Sequence, residues 1–142
     1  MASSLLPWLD PSYAQAEVAL GAALAVLGNL DAAIARMRHG IKLSPRDRRL
    51  GFWGWALGAF LPRANRVEEA LEEARIAARR DPRLYLPPIL EAVAQVALGR
   101  ADLGRSALMC ARRIRPKLTQ REIEVSHGQR AARILSAIWD VN

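Results

Sequence analysis

The sequence predicts an all-α fold in which three helical hairpins stack into a solenoid, with a further helix covering its C-terminal end. Three observations support this fold. Prolines recur at Pro11, Pro45, Pro82 and Pro116, which stand 34, 37 and 34 residues apart, and a period of about 34 residues is typical of stacked helix–turn–helix repeats. Bulky apolar residues within each interval fall three and four positions apart, as in an amphipathic helix. Small residues recur at matching places in each interval.

In the first interval, the run AQAEVALGAALAVLG ends at Gly28, and LDAAIARMRHGIKL follows. Gly28 and Asn29 predict a tight turn between two helices, with Asn29 capping the second of them. The helix is then predicted to stop before Pro45, because proline lacks the N–H that a helix interior requires. Pro11 is interpreted in the same way, as the stop of an earlier helix.

The next two intervals divide in the same manner. GFWGWALGAFLPRAN ends in a turn at Pro62 and Asn65, and Asn65 with Glu68 predicts a cap for the helix VEEALEEARIAARR. YLPPILEAVAQVALG ends at Gly99, and ADLGRSALMCARRIR follows. After Pro116, two capping-box patterns begin at Thr119 and Ser126, the second of which opens the amphipathic run QRAARILSAIWDV.

The small residues are expected where paired helices approach most closely, since only short side chains let two backbones come together. They are Gly21, Ala33 and Gly40 in the first interval, Gly58, Ala70 and Ala77 in the second, and Ala92, Gly104 and Ala111 in the third. A single hairpin cannot bury its apolar face alone, so the pattern favours a stack in which each pair covers the next.

This periodic set resembles the tetratricopeptide repeat (TPR) family across about 100 of the 142 residues. The matching positions add the prolines Pro45, Pro82 and Pro116 to the small residues, together with Met37, Ala74 and Leu108 where the family has a large or aromatic residue. Glu17, Gly54 and Pro88 depart from the motif, which has a large residue near its fourth position. The arrangement is also similar to the repeat regions attached to bacterial class III nucleotide cyclases and to some transcriptional regulators.

The resemblance implies a right-handed superhelical solenoid with repeats at residues 14–47, 48–84 and 85–118. Residues 1–13 would be the tail of a degenerate preceding repeat, and residues 119–142 a C-terminal capping segment. It also implies a concave groove for an apolar or helical segment of a partner protein, or for self-association as a homodimer. The predicted groove residues are Val18, Ala22, Phe52, Trp55, Ala59, Arg63, Leu86, Ile89, Val93 and Val96.

Two features of this groove limit its occupants. The lysines and asparagines with which some family members grip a C-terminal carboxylate are absent, since Val18, Ala22, Ala56, Leu86 and Leu90 stand in their places. We therefore expect no chaperone-tail recognition. Because a large apolar surface is seldom left bare, the C-terminal helix or a second copy of the chain is the favoured occupant, ahead of a foreign segment anchored on Phe52 and Trp55.

The chain is basic, with a formal net charge of +7, and arginines concentrate near the ends of the second helices. The residues that would form a basic ridge are Arg79, Arg80, Arg83, Arg112, Arg113 and Arg115. Positive charge there complements the helix dipole, and an aligned ridge also suits phosphates or an acidic protein. No aromatic residues alternate with these arginines, so nucleic-acid binding is disfavoured.

Catalytic, cofactor and metal functions find no support in the sequence. Cys110 is the single cysteine, and His39 and His127 lie too far apart for metal-ligand spacing.

No run of about 18 apolar residues predicts a membrane span, and the first residues lack the pattern of a signal peptide. We expect a cytoplasmic, non-catalytic protein-interaction module; the alternatives are a regulatory or sensory domain detached from a signalling enzyme and a basic nucleic-acid binder.

Overall fold

The computed structural model describes residues 11–139, and this part of the chain is all-helical, without a β-strand. Its helices are α1 (Pro11–Val26), α2 (Leu30–Leu43), α3 (Leu50–Phe60), α4 (Val67–Arg80), α5 (Leu86–Ala97), α6 (Ala101–Ile114), α7 (Gln120–His127) and α8 (Gln129–Ser136). A 3-10 turn, Leu61–Ala64, separates α3 from α4. Most of the predicted tail at 1–13 and the last residues of the predicted capping segment at 119–142 lie outside the described residues.

The helices pack mainly as consecutive pairs, α1 with α2, α3 with α4 and α5 with α6, and each pair also contacts the next. Helices α2 and α4 span the residues that the apolar periodicity predicts. The predicted turns are also present: Gly28 and Gly99 have φ angles of +90° and +81°, and Asn65 has a φ of 60°. Glycine and asparagine tolerate this left-handed region better than other residues, which explains their presence at the turns.

Asn29 occupies the N-cap position of α2 as predicted, but its side chain makes no capping hydrogen bond, and the cap predicted at Asn65 is wrong. Asn29 precedes α2 without a side-chain cap. Asn65 adopts the left-handed conformation that closes the 3-10 turn, and Arg66 therefore occupies the N-cap position of α4. The tight turn, rather than a capping oxygen, determines where α4 begins.

The prediction that an earlier helix stops at Pro11 falls on residues outside the described range. Helix α1 starts at Pro11, where a missing N–H costs nothing because the first N–H groups of a helix have no intrahelical partner. Pro45, Pro82 and Pro116 do follow closely after the ends of α2, α4 and α6.

The buried apolar residues form two clusters that share α5. Leu86 and Leu90 of α5 belong to a cluster built from α1 to α4. Ile89 and Val93, on another side of the same helix, belong to a second cluster with α6 and the C-terminal segment. Helix α5 thus joins the two halves of the core, and its second side is covered by α8.

The C-terminal segment consists of two short helices separated by Gly128, whose φ is +92°. The predicted capping box at Thr119 is confirmed: its side chain accepts from the Glu122 backbone N–H, and the Glu122 carboxylate accepts from the Thr119 backbone N–H at 2.8 Å. The capping box predicted at Ser126 is wrong, because its hydroxyl donates to the Glu122 carbonyl at 2.9 Å and Gly128 occupies the N-cap of α8.

Close helix packing at glycines makes a testable prediction about stability. A Cβ at Gly40 would lie 2.8 Å from the Ala14 carbonyl oxygen and 2.9 Å from Val18 Cγ2, whereas a Cβ at Gly54 would meet Ala77 at an ordinary 3.7 Å. We expect Gly40→Ala to lower the free energy of unfolding by about 2 kcal/mol, because α1 and α2 must separate. Gly54→Ala should raise it by about 0.5 kcal/mol through helix propensity.

Urea denaturation of the wild type and of the two variants measures both effects. The two variants are matched, because each replaces a glycine by alanine. Equal effects of the two substitutions would contradict the close approach of α1 and α2 at Gly40.

Candidate functional site

The ten residues predicted to line a groove are divided between the core and the surface. Buried are Val18, Trp55, Leu86, Ile89 and Val93. Partly buried are Ala22, Ala59 and Val96, and exposed are Phe52 and Arg63. Half of the predicted groove residues are therefore covered by other helices of the same chain. Whether the remainder binds a partner stays a prediction.

The C-terminal segment covers the part of the groove formed by α5. Ala131 and Leu135 of α8 are buried in the same cluster as Ile89 and Val93. The apolar face of α8 thereby packs along α5. The sequence favours the C-terminal helix or a second copy of the chain as the occupant of the groove, and the role of this surface as a groove stays a prediction.

Trp55 and His127 join α3 to the end of α7. The Trp55 indole Nε1–H donates to His127 Nε2 at 2.8 Å, and the two rings meet edge to face with centroids 5.2 Å apart. Since Nε2 accepts this bond, the neutral ring carries its proton on Nδ1, which lies 2.7 Å from Ser126 Oγ. Burial lowers the pKa of His127 from 6.5 to about 4, which keeps the ring neutral and able to accept near pH 7.

An apolar cleft remains open beside this contact. Its floor is the aromatic pair Phe52 and Trp55, whose ring centroids lie 5.3 Å apart, and Phe52 is 49% exposed. Its volume is about 680 Å³. We call it the Phe52 cleft, and its remaining lining residues are Ala22, Ala56, Ala59, Phe60, Arg63, Ser126, His127, Gly128, Gln129 and Arg130. The alanines create the space, because a larger side chain at any of them would fill it.

Two arginines give the rim of the Phe52 cleft its charge. Arg63 donates weakly to the Ala25 carbonyl oxygen at 3.4 Å, and its guanidinium carbon lies 5.8 Å from the Phe60 ring centroid. Arg130 makes no ion pair with any residue in the range 11–139. No acidic residue lines the cleft, so its electrostatic preference is for a negatively charged neighbour.

The buried Glu17 forms an ionic cluster with two exposed side chains, and sequence reasoning did not identify it as a site. Its carboxylate accepts hydrogen bonds from Arg36 Nη1 at 3.3 Å and from His39 Nδ1 at 2.9 Å. The hydrogen bond from His39 is the main cause that lowers the pKa of Glu17. The signal in the sequence was a lone acid in an otherwise uncharged helix, and the cluster fixes α1 against α2.

The predicted basic ridge is used largely within the chain. The Arg112 guanidinium lies 4.4 Å from the Trp139 ring centroid, and Arg115 donates to Glu122 at 2.9 Å while lying 5.2 Å from the Tyr85 ring centroid. Arg113 donates to Cys110 Sγ at 3.1 Å, and Arg83 lies 4.0 Å from Asp81. Arg79 and Arg80 make no ion pair within residues 11–139, so binding of an anion by the ridge stays a prediction.

Over 11–139, no three histidine, cysteine, aspartate or glutamate side chains come together as the ligands of a metal would. In the same range, no helix has both the length and the apolar content that crossing a membrane requires.

Comparison with known proteins adds no family assignment. No protein-family model matches this sequence, and a search of curated proteins finds no match.

The lowered pKa of the partly buried His127 predicts a pH dependence of stability. Its folded-state pKa lies below the ordinary value, so below about pH 6.5 the unfolded chain takes up a proton that the folded chain does not. Stability is therefore lost as the pH falls from about 6.5 to about 4. Between about pH 7 and pH 5, the wild type should lose about 2 kcal/mol more than His127→Gln, which cannot titrate.

Urea denaturation of both proteins at the two pH values measures this difference. The window lies above the range in which Glu17 titrates, because the pKa of Glu17 is lowered from 4.5. Parallel losses in the two proteins would contradict a His127 that stays neutral in the folded chain.

Proposed function

We propose that this chain is a non-catalytic protein-interaction module, a solenoid of TPR-like helical hairpins, which binds an apolar helical segment of a partner protein in the Phe52 cleft. The observation that carries the proposal is the cleft itself, an open apolar volume of about 680 Å³ with a half-exposed phenylalanine on its floor. Exposed aromatic residues in apolar concavities are typical anchors for a partner helix.

The packing of the hairpins supports the solenoid in this proposal. Each of the three pairs has a glycine at which one helix closely approaches the other. A Cβ at Gly21, Gly58 or Gly104 would lie 3.1 Å or less from a side-chain carbon of the partner helix. The two helices thus approach each other closely in all three successive pairs, as expected when one packing unit is repeated. Each pair contacts the next along the chain, so each pair covers an apolar face of its neighbour.

The chemistry of the partner follows from the rim. A helix that lays an apolar stripe over Phe52 and Ala56 brings its flanks toward Arg63 and Arg130. Glutamate or aspartate on a flank would pair with these guanidinium groups, whereas lysine there would be repelled. The segment expected is an amphipathic helix with an apolar stripe and an acidic flank.

A pair of designed peptides tests this function. Each has about 14 residues, or four helical turns, with leucines at i, i+4 and i+7 and flanks of either glutamate or lysine. We expect the acidic-flank peptide to bind at least about tenfold more tightly, since two favourable charge contacts replace two repulsive ones. Fluorescence anisotropy of the labelled peptides measures both affinities.

Two variants of the protein locate the binding. Phe52→Glu should remove binding of the acidic-flank peptide, and Leu103→Glu, at a leucine on α6 of similar exposure, should leave it unchanged. In Arg63→Glu the preference for the acidic flank should fall or reverse. Binding of neither peptide, or binding indifferent to Phe52, would overturn the proposal.

A further inference from the structure

The outer face of α1 carries an apolar stripe that nothing in residues 11–139 covers. Tyr13, Ala16, Leu20, Ala23 and Leu27 are spaced by three and four residues, so they share one side of the helix, and each of them is exposed. Leu27 is 81% exposed and follows directly on α1, with its backbone N–H bonded to the Ala23 carbonyl at 3.1 Å. We call these five residues the α1 outer stripe.

Helix α1 has no charged side chain directed to solvent. Its sequence PSYAQAEVALGAALAV contains one charged residue, Glu17, which is buried against Arg36 and His39 of α2. A helix at the surface of a protein normally shows polar and charged residues on its outer side, whereas a helix that is apolar all round is normally buried. The composition of α1 is therefore that of a helix covered on two sides.

We propose that a second copy of this chain covers the α1 outer stripe, so that two α1 helices pack antiparallel about a twofold axis. The stripe alternates large and small residues, from Tyr13 through Ala16, Leu20 and Ala23 to Leu27. In an antiparallel pair, Leu20 of one copy lies beside Ala23 of the other, and Leu27 beside Ala16. Each layer then holds one leucine and one alanine, so the layers have equal volume.

A parallel pair would not fit in the same way. It would place leucine against leucine and alanine against alanine in successive layers, which require different distances between the helix axes. The antiparallel arrangement is also closed and symmetric, since each stripe contacts the same stripe of the other copy.

The lack of charge favours a second copy over a foreign partner. An uncharged stripe neither attracts nor repels by electrostatics, while it complements itself in shape. Its exposed apolar area is on the order of 500 Å² per copy, so the pair buries roughly 1,000 Å², near the lower bound for a specific interface. A dimer that dissociates on dilution follows from this area.

Sedimentation equilibrium of the full chain from about 1 to about 500 μM tests the proposal. We expect a concentration-dependent dimer for the wild type and a monomer for Leu20→Glu. Leu103→Glu, at a leucine of similar exposure on α6, should keep the dimer. Far-UV circular dichroism establishes that each variant remains helical.

A second set of variants separates the layered packing from general hydrophobic association. Ala23→Leu adds apolar surface but places leucine against Leu20 of the other copy, so it should weaken the dimer at least about tenfold. Adding Leu20→Ala to the same chain restores one leucine and one alanine in that layer and should recover the dimer. General association would instead grow stronger with Ala23→Leu.

The outcomes are distinct from those of the peptide experiment. A wild type that is monomeric throughout, a dimer unaffected by Leu20→Glu, or a dimer strengthened by Ala23→Leu would overturn the proposal. Dependence of the dimer on Phe52 instead of Leu20 would also overturn it, because the second copy would then occupy the Phe52 cleft. Leu20→Glu should leave binding of the acidic-flank peptide unchanged, since the stripe and the cleft lie on different sides of α1.

Discussion

The rest of the structure depends on the burial of α5, the helix that belongs to both apolar clusters. Nine of its 12 residues are buried, in contact with α3, α4, α6 and α8. Leu86 and Leu90 complete the cluster of the first four helices, and Ile89 and Val93 need a second cover on another side. A helix that is apolar on several sides is stable only when every side is packed.

This requirement explains why the C-terminal segment lies where it does. Helix α8 supplies Ala131 and Leu135 to the second cluster, and α7 ends at the hydrogen bond between Trp55 and His127. Only part of the predicted groove can remain open as a result. The Phe52 cleft is the space that the start of α8 borders without filling, and alanines keep it open.

The charged residues also fall into two groups, those that pair within the chain and those that lie at the rim of the cleft. Glu17 is matched by Arg36 and His39 at the interface of α1 and α2. Arg112 and Arg115 hold the C-terminal segment through Trp139 and Glu122. Part of the predicted basic ridge is therefore engaged within the chain, since Arg115 pairs with Glu122 and Arg83 lies near Asp81. The cations at the cleft rim, Arg63 and Arg130, have no acidic neighbour in the cleft.

Local sequence determined the helices and most of the turns. The period of the apolar residues predicted the first and last residues of α2 and α4. The positive φ angles at Gly28, Asn65 and Gly99 occur at residue types that tolerate them. Such features depend on neighbours a few positions apart in the chain, so the sequence alone was sufficient to predict them. The capping box at Thr119 is local in the same sense.

The tertiary structure alone decided which apolar residues remain exposed. A stripe of apolar residues has the same pattern whether it faces the core, the C-terminal segment or solvent, so Trp55, Ile89 and Val93 could not be distinguished from Phe52 by sequence. The contact between Trp55 and His127 joins residues 72 positions apart, a distance over which no local spacing operates. For the same reason, Leu20 and Leu27 on the outer side of α1 became recognisable as exposed only once the helices were packed.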